Sequence, residues 1–268
     1  MQAIDLVKVE HGRKAGEKCE YIKPNVTESC LLRDNGEVIG AYIKDASALS
    51  PKLANLIDIA NNEFLSNRVP KSMLKRSDIM QIAKERNISY GEAMKIGTAQ
   101  YSTIIGSIPK KPHMRRTYHN RSGVHAVKTA QTFVKAMLMA SNELEGVMGG
   151  LLPEAVKTHS EAVSGVDEKW RFGNLFTSSI SNFNISAPFH RDRANAKGTM
   201  NAIYTKRHNS EGGCLYVPDY DACFEQPAGS LLIYPAWRNL HGVTPIIPTH
   251  EGGYRNSLVF YALAGFLR

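Results

Sequence analysis

The apolar positions of the chain change their period along its length. Two short apolar runs, Ser29-Cys-Leu-Leu-Arg and Val38-Ile-Gly-Ala-Tyr-Ile, flank Asp34-Asn-Gly-Glu. Asn35-Gly36 supplies the two positive-φ residues of a tight turn, so a β-hairpin is expected over 29–43. From Pro51 the spacing becomes helical, with Leu53, Leu56, Ile57, Ile59, Ala60 and Phe64 on one face. Ser89 and Glu92 form a capping box before Ala93-Met-Lys-Ile, so the second quarter is expected to be helical. The longest stripe, Val124, Val127, Ala130, Phe133, Val134, Met137, Leu138 and Leu144, predicts a helix over 122–148 that Gly149-Gly150 stops. Pro153 suits the first turn of another, over 153–162.

From Trp170 the texture is short apolar runs broken by Gly, Pro and Asn: Phe172 to Phe176, Ile180 to Ile185, Met200 to Thr205, Cys214 to Val217, Ser230 to Tyr234 and Ser257 to Ala264. Evenly punctuated short strands predict a sandwich or jelly-roll barrel. The expected class is α+β, with a jelly-roll core in residues 166–268. Residues 1–165 are expected to form a mainly helical layer, with the β-hairpin, packed on that core.

Composition narrows the picture. At 268 residues, 43% hydrophobic and 22% charged, the chain can bury a proper core, which excludes disorder throughout. Its net charge of +8 favours an anionic partner without choosing between nucleic acid, phosphate and carboxylate. Cys19, Cys30, Cys214 and Cys223 are too sparse for a disulfide framework, so reduced thiols in an intracellular, cytoplasmic protein are expected. The first twenty residues alternate charges and hold no apolar segment of a secretory signal. The longest apolar run, Leu258 to Leu267, is too short to span a bilayer, so no membrane partner is expected.

The chemistry concentrates in His190-Arg191-Asp192 and His241-Gly-Val-Thr-Pro. A histidine and a carboxylate two apart share one side of an extended strand, and a second histidine from a later strand completes a 2-His-1-carboxylate face for Fe(II). Such a face leaves positions for a bidentate 2-oxoacid, whose remote carboxylate needs a fixed cation. Arg255 stands at the start of the apolar strand Ser257-Leu-Val-Phe-Tyr-Ala, and Ser257 lies on its face. An H-x-D alone is weak, and a lone histidine is more often structural. Its combination with a Gly-Gly turn, Pro227-Ala-Gly-Ser, H-G-V-x-P and R-x-S-L-V-F-Y, in this order, points to metal.

With these motifs in place, residues 170–267 resemble the double-stranded β-helix core of Fe(II)/2-oxoglutarate dioxygenases. Within that superfamily they are similar to the branch of the ten-eleven translocation methylcytosine dioxygenases and the base J thymine hydroxylases. The motifs that carry the likeness are F-H-R-D-x-x-N-x-x-G, G-G-x-L-x-x-P, G-S-L-L-I-Y and H-G-V-T-P-I followed by R-x-S-L-V-F-Y. The resemblance implies that His190, Asp192 and His241 bind iron and serve catalysis, and that Arg255 and Ser257 hold 2-oxoglutarate. Asn195 matches the branch's H-x-D-x-x-N pattern and joins the cofactor-binding set, although by itself it reads equally as a turn-former capping the loop. Asn174 and Arg171 read as structural polar residues, Tyr234 as barrel core, and Trp237 as either pocket wall or core. The cysteine-rich zinc-binding segment of the branch's animal enzymes is missing, since four scattered cysteines cannot supply it.

The resemblance further implies that O₂ and 2-oxoglutarate are consumed, that succinate and CO₂ are released, and that a substrate C–H bond is hydroxylated. A DNA substrate would require a flipped base and cations on the flanking phosphates. Lys110, Lys111, Arg115, Arg116 and Arg121, in a Pro-rich segment with no acidic residue, are the expected phosphate contacts; a solvated basic loop is the alternative. Lys206-Arg207-His208 forms a second basic cluster, expected on a loop near the barrel mouth. The leading expectation is hydroxylation of the 5-methyl group of thymine or 5-methylcytosine in DNA. The alternatives are a 2-oxoglutarate-dependent hydroxylase of a small molecule, amino acid or protein side chain, and a non-catalytic nucleic-acid-binding module.

Overall fold

The computed structural model describes residues 1–268 apart from Lys75, Pro112, Met114 and Arg268, with Thr98 described for its main chain only. Its first half contains strands β1 (Gln2–Asp5), β2 (Cys30–Asp34) and β3 (Glu37–Ile43), then helix α1 (Pro51–Leu65) and strand β4 (Ser72–Met73). Helices α2 (Arg76–Arg86) and α3 (Tyr90–Thr98), strands β5 (Tyr101–Ile108) and β6 (Asn120–Arg121), and helices α4 (Gln131–Leu151) and α5 (Pro153–Val163) follow. The remaining strands are β7 (Ser178–Phe183), β8 (Ala187–His190), β9 (Asn201–His208), β10 (Ser210–Gly212), β11 (Leu215–Val217) and β12 (Ala222–Phe224). After them come β13 (Leu231–Tyr234), β14 (His241–Val243), β15 (Ile246–Pro248) and β16 (Tyr254–Tyr261).

Local signals act where the sequence places them. Asn35 and Gly36, at φ 51° and 82°, close the β2–β3 hairpin. The Ser89 hydroxyl accepts from the Glu92 amide while the Glu92 carboxylate accepts from the Ser89 amide, fixing the start of α3. The long helix begins later than its apolar stripe predicts. Residues 123–126 and 128–130 form 3₁₀ turns, with Val127 extended between them at ψ 114°. It also runs through Gly149-Gly150, because what stops it is Leu152, held out of helical geometry ahead of Pro153. Tyr101–Ile108, within the stretch expected to be helical, is a strand.

The large sheet has the order β1-β2-β3-β13-β9-β16-β7-β5-β4, with β6 paired to β5; the β1–β2 pair is parallel, and its other pairs are antiparallel. Since β3 pairs with β13 and β5 with β7, segments before and after residue 165 share one sheet. One face carries α1 and α4, through a core of Phe64, Phe133, Met137 and Leu144 against Tyr204, Ile233, Leu258 and Phe260. On the other face Ile203, Leu232 and Tyr234 pack with Leu215, Val217 and Phe224 of the four-stranded sheet β12-β11-β14-β8. No helix among the described residues is long and apolar enough to cross a membrane.

Candidate metal centre

The space between the two sheets is a cavity of about 320 Å³. Strand alternation aims every second residue into it: Ile180 and Asn182 from β7, Asn201 and Ile203 from β9, and Arg255, Ser257, Val259 and Tyr261 from β16. His190, Asp192, His241, Tyr234 and Asn195 complete the part that matters chemically. His190 ends β8 and pairs directly with His241 at the start of β14, which brings the two rings to 4.3 Å between centroids. Asp192, on the loop beyond β8, lies with its Oδ1 3.4 Å from His190 Nε2. One ligand atom from each of the three residues falls within 4.8 Å of the other two, so they can bind one ion.

The surroundings fit a metal. His190 Nδ1 lies 2.8 Å from the Pro188 carbonyl and His241 Nδ1 3.1 Å from the Asn239 carbonyl, so both rings donate from Nδ1; His241 presents Nε2 as a lone pair, and His190 would give up the Nε2 proton it shares with Asp192 when an ion binds. Asp192 Oδ2 accepts from Asn201 Nδ2 at 2.9 Å, and Asn195 Nδ2 in turn donates to Asn201 Oδ1 at 2.7 Å. Oδ1 is left for coordination. Burial, reinforced by His190, lowers the His241 pKa to about 4 and keeps its ring neutral. Burial would lower His190 too, but the Asp192 hydrogen bond and the Pro188 carbonyl outweigh it and raise the value. Burial opposes ionisation of Asp192, yet the His190 hydrogen bond and the His241 and Asn201 contacts hold its pKa below the usual one.

Arg255 is 2% exposed, and its Nε and Nη1 find no hydrogen-bond partner. Its Nη2 reaches only Gln226 Oε1, at 3.4 Å. Burial, aided by the Arg207 charge, lowers its pKa to about 10. A guanidinium so enclosed, with no carboxylate paired to it among the described residues, leaves Nε and Nη1 free to donate to an anionic ligand. Gly213, at φ 65°, makes room for it, because a Cβ there would strike the Arg255 side chain. The Cys214 thiol beside it is lowered to about 7 by the Cys223 hydrogen bond and, after burial opposes this, by Arg255 and Arg207.

The other residues singled out in the sequence divide clearly. Asn195 belongs to the carboxylate network just described. Tyr234, read as core, lines the cavity and packs edge-on against His241 with centroids 5.5 Å apart. Trp237 does not line it; its indole donates to the Thr199 carbonyl at 2.9 Å. Asn174 donates to Glu145 on α4, and Arg171 caps α5 through the Val163, Ser164 and Val166 carbonyls. Lys110, Lys111 and Arg115 are exposed. Arg116 instead donates to the Pro109 carbonyl, and Arg121 to the Lys169 and Arg171 carbonyls. Lys206 and Arg207 lie in β9 rather than on a loop, with Lys206 paired to Asp58 at 2.5 Å. Two residues that sequence reasoning missed are Asn201 and Gln226, whose amides touch Asp192 and Arg255.

No protein-family model matches the chain, and no curated protein matches it. Among solved structures, NgTET1 in complex with 5mC DNA aligns at 15% identity with a TM-score of 0.56, covering 95% of this chain and 83% of that one. A bsmA homolog from Methylobium petroleophilum PM1 aligns at 11% identity, covering 83% and 87%, with a TM-score of 0.42. An oxidoreductase of the 2OG-Fe(II) oxygenase family from Burkholderia pseudomallei aligns at 13%, covering 71% and 90%, with a TM-score of 0.34. At 15% identity the likeness to NgTET1 speaks for architecture alone, and the chain shares its fold over nearly its whole length.

Proposed function

We propose that the chain is an Fe(II)- and 2-oxoglutarate-dependent dioxygenase that hydroxylates the 5-methyl group of thymine or 5-methylcytosine in DNA. The observation that carries the chemistry is one cavity holding both the His190, Asp192 and His241 cluster and the unpaired, buried Arg255. The strand order β13-β9-β16-β7 against β12-β11-β14-β8 supports a double-stranded β-helix as its frame. The complex of the similarly folded NgTET1 with 5mC DNA supports the substrate class.

When bound, iron with 2-oxoglutarate and O₂ supplies an oxidant able to attack an unactivated C–H bond, with succinate and CO₂ as co-products. The chain's own residues do the rest. His190, Asp192 and His241 would hold the ion by one face, with Asn201 and Asn195 keeping the Asp192 carboxylate turned. Arg255 would bind the remote carboxylate of the cosubstrate, and Ser257, on the same face of β16, would add a hydroxyl. Ile180, Ile203, Leu215 and Val259 line the cavity with apolar surface that limits water. Lys110, Lys111 and Arg115 would meet DNA phosphates. Arg116 and Arg121, already bound to carbonyls, would shape that loop.

The test is mass spectrometry of nucleosides after thymine-containing and 5-methylcytosine-containing DNA is incubated with protein, Fe(II), 2-oxoglutarate and ascorbate, with succinate followed in parallel. A 5-hydroxymethyl nucleoside that disappears in Asp192→Ala is the expected result. Succinate release without modified DNA would keep the iron chemistry and overturn the substrate.

A further inference from the structure

Arg207 is the inward-facing residue of β9 that follows Asn201, Ile203 and Thr205 on one side of the strand. In the β9–β16 register it stands directly opposite Arg255. Like charges in that arrangement repel, and here Arg255 is fully buried and Arg207 half-buried. Neither guanidinium has an ion-pair partner among the described residues. Arg207 senses the Glu211 and Glu225 charges only at longer range.

Gln226 ties the two together. Its carbonyl accepts from Arg207 Nη1 at 2.9 Å, while its side-chain Oε1 accepts from Thr205 Oγ1 at 2.7 Å and from Arg255 Nη2 at 3.4 Å. Four buried donors, Arg255 Nε, Arg255 Nη1, Arg207 Nη2 and Gln226 Nε2, are left without acceptors. A cluster whose unmet polar groups are all donors and which carries two positive charges is complementary to an anion with several acceptor oxygens.

We propose that Arg207 is the second cation of the cosubstrate seat, a positioning residue that acts through Gln226 and through its field on the carboxylate that Arg255 contacts. The proposal rests on the dioxygenase reading and deepens it, since a doubly charged seat selects a 2-oxoacid with a remote carboxylate over one that ends in a methyl group. It also gives the mutual repulsion of Arg207 and Arg255 a purpose, because the ligand's charge relieves it.

The test measures binding rather than turnover. Isothermal titration of the full chain with Mn(II) in place of iron compares 2-oxoglutarate with 2-oxopentanoate, which carries a methyl group where 2-oxoglutarate has its remote carboxylate. Unit charges about 7 Å apart at an effective dielectric of about 20 couple strongly enough to change affinity by tens of fold. Arg207→Gln is therefore expected to weaken 2-oxoglutarate by about that factor, to leave 2-oxopentanoate within about twofold, and to keep or raise the thermal midpoint of the ligand-free protein. Arg207→Lys should recover most of the lost affinity. Equal weakening of both ligands, or an unchanged affinity for 2-oxoglutarate, would overturn the proposal while leaving the dioxygenase reading intact. A wild-type protein that binds Mn(II) but not 2-oxoglutarate would remove the cosubstrate reading, and Arg207's role with it.

Discussion

The two faces of the large sheet are built from alternate residues of the same strands and have opposite characters. On β9, Ala202 and Tyr204 face the helices, while Asn201 and Ile203 line the cavity and Thr205 and Arg207 continue on their side of the strand. On β16, Leu258 and Phe260 sit in the helix-side core, and Arg255, Ser257 and Val259 line the cavity. The first face is mostly close-packed hydrocarbon, interrupted by the buried serines Ser179 and Ser181 and by Asn256, whose amide donates to Asn61 of α1. The second is a polar hollow with unsatisfied donors, so stability and chemistry are separated by one residue in sequence.

The sharpest way to break this contrast is Arg255→Met, which keeps the volume and removes the charge. It should weaken 2-oxoglutarate binding by at least about a hundredfold, since breaking a buried charged contact is worth several kcal/mol. The same variant should unfold at a higher, or at least an equal, temperature in calorimetry, because an unpaired buried charge is gone. A fall of the midpoint together with retained binding would contradict the division. On the other face, Phe133→Ala should behave in reverse. It is expected to cost about 3–5 kcal/mol in denaturant unfolding, by cavity formation between Phe64 and the sheet, with 2-oxoglutarate affinity preserved in the folded fraction.

A third test uses pH. His159 of α5 is fully buried, donates from Nε2 to the Leu175 carbonyl at 2.7 Å and accepts from the Met200 amide at Nδ1, so it is held neutral. Burial lowers its pKa from 6.5 to about 4. A histidine depressed in the native state takes up its proton more readily when unfolded. Its contribution is thus complete above pH 6.5 and is lost as pH falls from there towards 4, about 3 kcal/mol in all. Unfolding free energies from urea titrations at pH 7.5 and 4.5 should differ less in His159→Asn than in the wild type, by about 2.5 kcal/mol. The smallest effect expected is that of Asn201→Leu, about 10–100-fold in Mn(II) affinity by titration, because it frees Asp192 Oδ2. An unchanged affinity would show that the carboxylate holds its orientation without the amide.

The gathering of His190, Asp192 and His241, and of Arg255, in one cavity was legible in the chain because each carries a short local pattern: H-x-D at a strand end, H-G-V at a strand start, R-x-S on one face. Arg207 was visible only as part of a basic triplet, since its relation to Arg255 is fixed by the register of strands far apart in sequence. Asn201 and Gln226 were silent for the same reason. In the basic segment the charge was readable but the partners were not: Arg116 and Arg121, two of its five selected cations, donate to backbone carbonyls. β5 escaped notice because Tyr101–Ile108 mixes serine and threonine with isoleucine without a clean alternation, and its place is set by pairing with β7.

The position of β16 has a kinetic consequence. It follows every other strand in sequence, yet it lies between β9 and β7 in the middle of the large sheet. During synthesis the sheet must wait as two unjoined halves, β1-β2-β3-β13-β9 and β7-β5-β4, each exposing an unpaired inner edge until this strand emerges. Closure delivers Arg255 and Ser257 into the cavity at the same moment, so the cavity is complete only once β16 is in place.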